Sequence, residues 1–241
     1  MDIFKTPRDA AVAAQRNPVL WPGTDERFTG YGVMGLPFRS GHYLAMRHIP
    51  ASSIGPEYRT VWHYAPDGTW TFITDRRPEH TYARYFAPGD SALTLYADIA
   101  SKWDGPHSLR VTVPDMLDWR IELGSTPATV MMTALSHRLP PIAWRSNAFQ
   151  RVVNAVAAAL LRAGHVGMSG TAPNGQRFAW GPRRIWTIAS SHAVLHGVDL
   201  GPPHPLPRQL HLVDFWLPQR GHLHMYAAFH RRLECSCVRV H

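Results

Sequence analysis

The chain has 241 residues, 45% of them hydrophobic and 17% charged, with a formal charge of +8. A disordered chain would be poorer in Val, Leu, Phe and Trp and richer in charge, so the bulk must fold, as one large domain or two lobes with a real core. All but two of the 25 basic residues are arginines, scattered singly or in pairs such as Arg76-Arg77 and Arg183-Arg184. No segment reads as a zinc finger, basic helix or RNA-recognition strand, which argues against a nucleic-acid partner.

Thr6-Pro7 reads as a helix cap followed by proline at the first helical position, opening a short helix to about Gln15. Residues 17–29 read as loop. From Tyr31 the pattern is β: segments 31–38, 42–48, 58–65, 69–75, 80–86, 108–113, 116–123 and 127–135 are short, rich in aromatic and branched residues, and separated by Gly, Pro, Asp and Ser. Asp67-Gly68, between Trp62-His63-Tyr64 and Trp70-Thr71-Phe72, is a hairpin signal. One long helix interrupts, with Ser146 as its cap, Phe149, Val152, Val153, Val156 and Leu160 at helical spacing, and Gly164 closing it. The β pattern resumes at 166–172, 176–180, 184–196, 208–217, 221–230 and 233–240. The turn Ala65-Pro66-Asp67-Gly68 is echoed by Ala172-Pro173-Asn174-Gly175, which points to an internal duplication.

Most strands alternate, and a single helix cannot serve as repeated crossovers, so the sheets are antiparallel. The expectation is a mainly β fold: an antiparallel lipocalin-like barrel, or two β lobes with one long helix. Its parts are an N-terminal helix and loop (1–30), a first lobe (31–138), a linking helix (139–165) and a second lobe (166–241), unless all form one domain. No dinucleotide fingerprint, phosphate loop or serine-hydrolase elbow is present. No apolar run reaches the ~20 residues of a membrane helix, and the N-terminus lacks an apolar signal core, so a cytoplasmic location is expected. The only cysteines, Cys235 and Cys237, exclude a disulfide scaffold and read as a metal or redox pair or as reduced thiols. The oligomeric state is left open.

Asp214 is the unusual residue. As part of a strand 208–217 it shares a face with Leu210, Leu212 and Trp216, where a carboxylate is costly unless paired and becomes a stronger candidate for acid catalysis. In 222–230, His222, His224, Tyr226 and His230 share one strand face. Of these, His222 and His224 are candidate catalytic partners or, with His211 or Asp214 as a third ligand, metal ligands, against the plainer alternative of a wet outer face. His192 and His196 form a second candidate acid–base pair. Tyr58, Trp62, Tyr64, Trp70, Phe72 and Trp216 supply aromatic walls for a lipophilic ligand, or simply a core.

The Trp62-His63-Tyr64-Ala65-Pro66-Asp67-Gly68-Thr69-Trp70 hairpin and the Val213-Asp214-Phe215-Trp216 strand, within duplicated aromatic β lobes, resemble the two-lobed lipocalin-like family of carotenoid 1,2-hydratases and tocopherol-cyclase-like proteins. The resemblance implies a greasy interior cavity and acid-driven hydration, cyclisation or isomerisation without a cofactor. The expected function is therefore binding of a hydrophobic small molecule such as a terpenoid, polyene or lipid, with Asp214 and a histidine as catalytic groups if the protein is an enzyme. The alternatives are a non-catalytic carrier and a histidine-based metal enzyme.

Overall fold

The computed structural model describes residues 6–87 and 92–231. Thr6 caps α1 (Pro7–Arg16), its hydroxyl accepting the Asp9 N–H. There follow β1 (Glu26–Pro37), β2 (Tyr43–Ser52), β3 (Tyr58–Tyr64), β4 (Trp70–Thr74), the single turn α2 (Ala83–Phe86), β5 (Ala92–Tyr96), β6 (Ala100–Trp103), β7 (Ser108–Val113) and β8 (Leu117–Gly124). Then come α3 (Pro127–Arg138), α4 (Asn147–Leu161), β9 (Ser169–Thr171), β10 (Arg177–Leu195), β11 (Val198–Asp199), β12 (His211–Leu212), β13 (Phe215–Trp216) and β14 (His222–Arg231). The cysteine pair and the expected strand 233–240 lie outside the described residues.

The protein is mainly β, as its alternating aromatic and branched segments require. One large sheet runs in the order β5-β4-β3-β2-β1-β14-β10-β8-β7-β6, antiparallel except for β4 and β5. β14 is hydrogen-bonded to β1 on one side and β10 on the other, so two strands from after the helices are inserted between β1 and β8 in a single sheet. The sheet is strongly curled: Tyr31 on β1 meets Trp103 on β6, five strands away along the sheet, at 6.3 Å between ring centroids. It thus forms a half-barrel with edges at β5 and β6, not a closed barrel.

Each expected turn forms where its chemistry demands. Gly68 and Gly175 both take positive φ, and each donates its N–H back to the alanine that opens its turn, Ala65 and Ala172. Four sequence expectations are corrected. Residues 127–135 form α3, not a strand: Thr126 makes a capping box with Thr129 and Pro127 occupies the first turn, which outweighs the β propensity of Thr129-Val130. Residues 80–86 follow a 3-10 turn (Pro78–His80) into α2. Segments 176–180 and 184–196 are one strand, β10, which absorbs Pro182 at a bulge. Segment 208–217 is a tight hairpin of β12 and β13, with Val213 at φ 56°.

Two cores result. One, on the concave side, is aromatic and gathers Trp62, Phe72, Tyr82, Phe86, Phe178 and Phe215. The other packs Tyr31, Val33, Met46, Val111, Trp119 and Leu223 between β1, β2 and β14 and the curled-over β7 and β8, with α1 against it.

Candidate functional site

Along β2, Tyr43, Ala45, Arg47 and Ile49 alternate with Leu44, Met46 and His48 and face the aromatic core. Arg47 is thereby placed, fully buried, where an apolar side chain would be expected. Its guanidinium lies over Trp62, 3.7 Å from the ring centroid, and 5.7 Å from that of Phe215. Neither terminal nitrogen has a hydrogen-bond acceptor among the described residues. Gly32, opposite Arg47 on β1, allows the two strands to approach closely here, because a Cβ would run into the Met46 carbonyl oxygen and stand 3.0 Å from the arginine Cα and Cγ.

Around this cation is a cavity of ≈ 20 Å³, space for about one water. Its walls come from distant parts of the chain: Met34 of β1, Trp62 of β3, Tyr82 and Phe86 at α2, Phe178 and Trp180 of β10, Phe215 of β13, and Tyr226 and His230 of β14. The nearby phenols are shifted by burial: Tyr58 and Tyr82 are raised well above the usual range and Tyr226 is pushed up to about 12, with Arg47 opposing in each case. Burial pulls Arg47 itself downward. His230 is pushed down to about 3 by burial and stacks on Tyr85 at 3.9 Å. The Tyr85 hydroxyl donates to buried Glu26 at 2.6 Å, and Glu26 also receives Arg84 at 3.1 Å and Gln176 at 3.3 Å. This network fixes the ring against which His230 rests.

The sequence-selected residues divide. Trp62 lines the cavity, and Tyr58, Trp70 and Phe72 pack in the same aromatic cluster with Tyr64 at its margin. Trp216 does not join them; it lies between His165 and His211 on the β12–β13 hairpin. Asp214 is exposed in the turn of that hairpin, its carboxylate accepting the Thr171 N–H at 2.8 Å, and not on an apolar strand face. The two-residue turn at Val213 breaks the alternation on which that expectation rests. His192 is also exposed, 3.4 Å from Asp199.

His222 and His224 do share a face with Tyr226 and His230, but the face is buried, not wet. Burial pulls His222 down to about 4 and His224 well below the usual imidazole range. Their ring centroids are 6.1 Å apart and His211 is exposed elsewhere. Among the described residues no three His, Cys, Asp or Glu side chains gather to hold a metal, so the expected triad of His222, His224 and His211 is not formed. The expected greasy cavity is also much smaller than a terpenoid needs.

Sequence reasoning passed over Arg47, Tyr82, Phe86, Phe178, Trp180 and Tyr226 as one site. A signal existed for Arg47, since it is the single charge on the alternating face of Tyr43, Ala45 and Ile49. It also passed over a polar chain on the other side of the sheet. There buried His48 meets Glu57 through Nε2 at 2.6 Å and the Tyr31 hydroxyl through Nδ1 at 2.9 Å, and Tyr31 receives Gln15 from α1.

No family model and no curated protein matches the chain, carotenoid hydratases and tocopherol cyclases included. Solved structures similar to it include two of acetoacetate decarboxylases. The acetoacetate decarboxylase of Legionella pneumophila has 9% identity, a TM-score of 0.39 and 97% of each chain covered. A second acetoacetate decarboxylase structure has 9% identity, a TM-score of 0.42 and 88% of each chain covered. At that distance neither lends an activity or a residue role to this chain.

Proposed function

We propose that the protein binds a small carboxylic acid in the concave aromatic core, its carboxylate on Arg47 and its apolar body against Trp62, Phe86 and Phe215. The observation that carries this reading is the fully buried guanidinium whose terminal nitrogens have no hydrogen-bond partner among the described residues. A buried charge without a counter-ion is expensive, and a planar fork of donors matches a carboxylate in geometry. The walls supply the hydrophobic contact expected earlier for a lipophilic ligand. The cavity itself holds about one water, so a ligand enters only by movement of the surrounding aromatic side chains, which favours the smallest acids.

Recognition is favoured over acid–base chemistry at this site. A general acid or base works best with a pKa near the operating pH. Here burial drives Tyr226 to about 12 and His230 to about 3, so at pH 7 the phenol keeps its proton, the imidazole stays neutral, and neither is poised to transfer a proton. A Schiff-base mechanism would need a lysine amine in the pocket. Of the two lysines in the sequence, Lys102 is exposed on β6, and no lysine lines the cavity among the described residues.

Titration calorimetry with formate, acetate, butyrate, benzoate and the matching primary amides tests the reading. Acids binding while amides do not, with affinity lost beyond a few carbons, is the expected pattern. Equal binding of acids and amides would reject Arg47 as the anchor.

A further inference from the structure

The helices α3 and α4 present an outer surface of unusual chemistry. Six of the twelve large apolar side chains exposed among the described residues lie on this one stretch: Val130, Met131 and Leu135 on α3, Ile142 in the connecting 3-10 turn, and Val152 and Val156 on α4. Beside Val152 and Val156 the solvent face of α4 continues with exposed Ala155 and Ala159, where a surface helix ordinarily carries Glu, Lys or Gln. The two helices touch, so these exposed residues are carried by neighbouring elements. Their inner faces are already used, since Met132 and Ala157 are packed in the aromatic core.

The helical stretch itself carries charge of one sign, and the acid that meets it, Asp25, comes from outside it and pairs with Arg145 of the connecting turn at 3.0 Å. From Leu123 to Val198 the chain contains seven arginines and no Asp or Glu. Arg138, Arg151 and Arg162 are exposed at the ends of the two helices and have no ion pair among the described residues. Exposed apolar side chains bordered by unpaired arginines on helices devoid of acid match a surface that offers both negative charge and hydrocarbon.

We propose that the α3–α4 surface docks this protein onto an anionic lipid bilayer, with Met131, Leu135, Val152 and Val156 entering the headgroup–acyl boundary and the three arginines at the phosphates. The attachment is peripheral: no helix among the described residues is long and apolar enough to cross a membrane. Two other occupants fit less well. A second copy meeting this surface across a two-fold axis would bring the unpaired arginines into a common interface. Nucleic acid would satisfy the arginines but offers nothing to the valines and Met131.

The test is co-sedimentation of the full chain with vesicles of phosphatidylcholine alone and of phosphatidylcholine mixed with phosphatidylglycerol. Binding to the mixed vesicles only is expected. The triple variant Arg138→Glu/Arg151→Glu/Arg162→Glu should lower partitioning about a hundredfold, at roughly fivefold for each arginine near the surface. Met131→Ser/Val152→Ser should weaken binding in high salt as much as in low salt, because it removes the apolar part. All five positions are exposed, and matching melting curves confirm that the variants fold; should the triple variant fail to fold, the serine pair decides. Arg47→Met should bind vesicles like the wild type, which separates this result from the fate of the ligand pocket. Failure to bind mixed vesicles, or unchanged binding by both variants, overturns the proposal. So does self-association in sedimentation velocity that Met131→Ser/Val152→Ser abolishes, or RNA binding lost in the triple variant while vesicle binding survives.

Discussion

Replacing Arg47 by Met separates the cost of the buried cation from its use. Arg47 is enclosed, and its terminal nitrogens find no acceptor among the described residues, so the folded protein carries a desolvation penalty of several kcal/mol after relaxation. The stack on Trp62 at 3.7 Å returns about 2 kcal/mol of it. Methionine keeps most of the apolar packing and removes both the penalty and the stack, so the ligand-free variant should gain about 1–3 kcal/mol. For a chain of this length a gain of about 2 kcal/mol raises the melting temperature by roughly 4–8 °C. Urea melts and calorimetric scans without ligand measure it, and butyrate titration measures the other side: affinity should fall at least about thirtyfold, the loss of about 2 kcal/mol of charge-assisted hydrogen bonding. A variant destabilised by more than about 1 kcal/mol would refute the reasoning, because it would mean that the guanidinium is compensated in the empty protein.

Asp214→Asn should leave carboxylate affinity unchanged and cost less than about 1 kcal/mol, since the side chain is exposed and serves only the Thr171 N–H; paired titrations and melts check it. Gly181→Ala should destabilise by about 1–3 kcal/mol in urea melts, because its methyl would run into the Trp144 ring beneath the α3–α4 connection. Acid should unfold the protein early. His63 and His222 at about 4 and His230 at about 3 stay neutral in the fold while the unfolded chain takes up their protons below pH ~6.5. The stability is therefore fully present above that pH and falls as pH drops towards 4, by up to about 1.4 kcal/mol per histidine per pH unit. A melting temperature that is flat from pH 7 to 5 would contradict this.

Local chemistry made much of the architecture legible. Thr6-Pro7, Asp67-Gly68 and Ser146 act through the nearest few residues, and each forms the element that its chemistry requires. Thr126-Pro127 carries the same signal as Thr6-Pro7, yet Val130 and the β pattern before it obscure a helix whose start is set by two threonines. The site was harder to read because it is assembled across the sheet: Arg47, Tyr82, Phe215 and Tyr226 come from four separated segments, and no spacing links them. A charge on an alternating apolar face, the feature expected of Asp214, is found at Arg47 instead. β2 is an unbroken strand around Arg47, whereas a turn interrupts the chain at Val213.

The position of β14 has a consequence for synthesis. A ribosome that has released the chain only as far as residue 221 leaves β1 and β10 each with a bare edge, since the strand that joins them has not yet emerged. The register Gly32↔His224 links residues nearly two hundred positions apart, a long loop to close before any reward is gained. Until then the nascent half-sheets expose the pairing edges and aromatic faces through which neighbouring chains aggregate. Yield from cells should accordingly depend on chaperone supply and growth temperature more than on the stability of the finished fold.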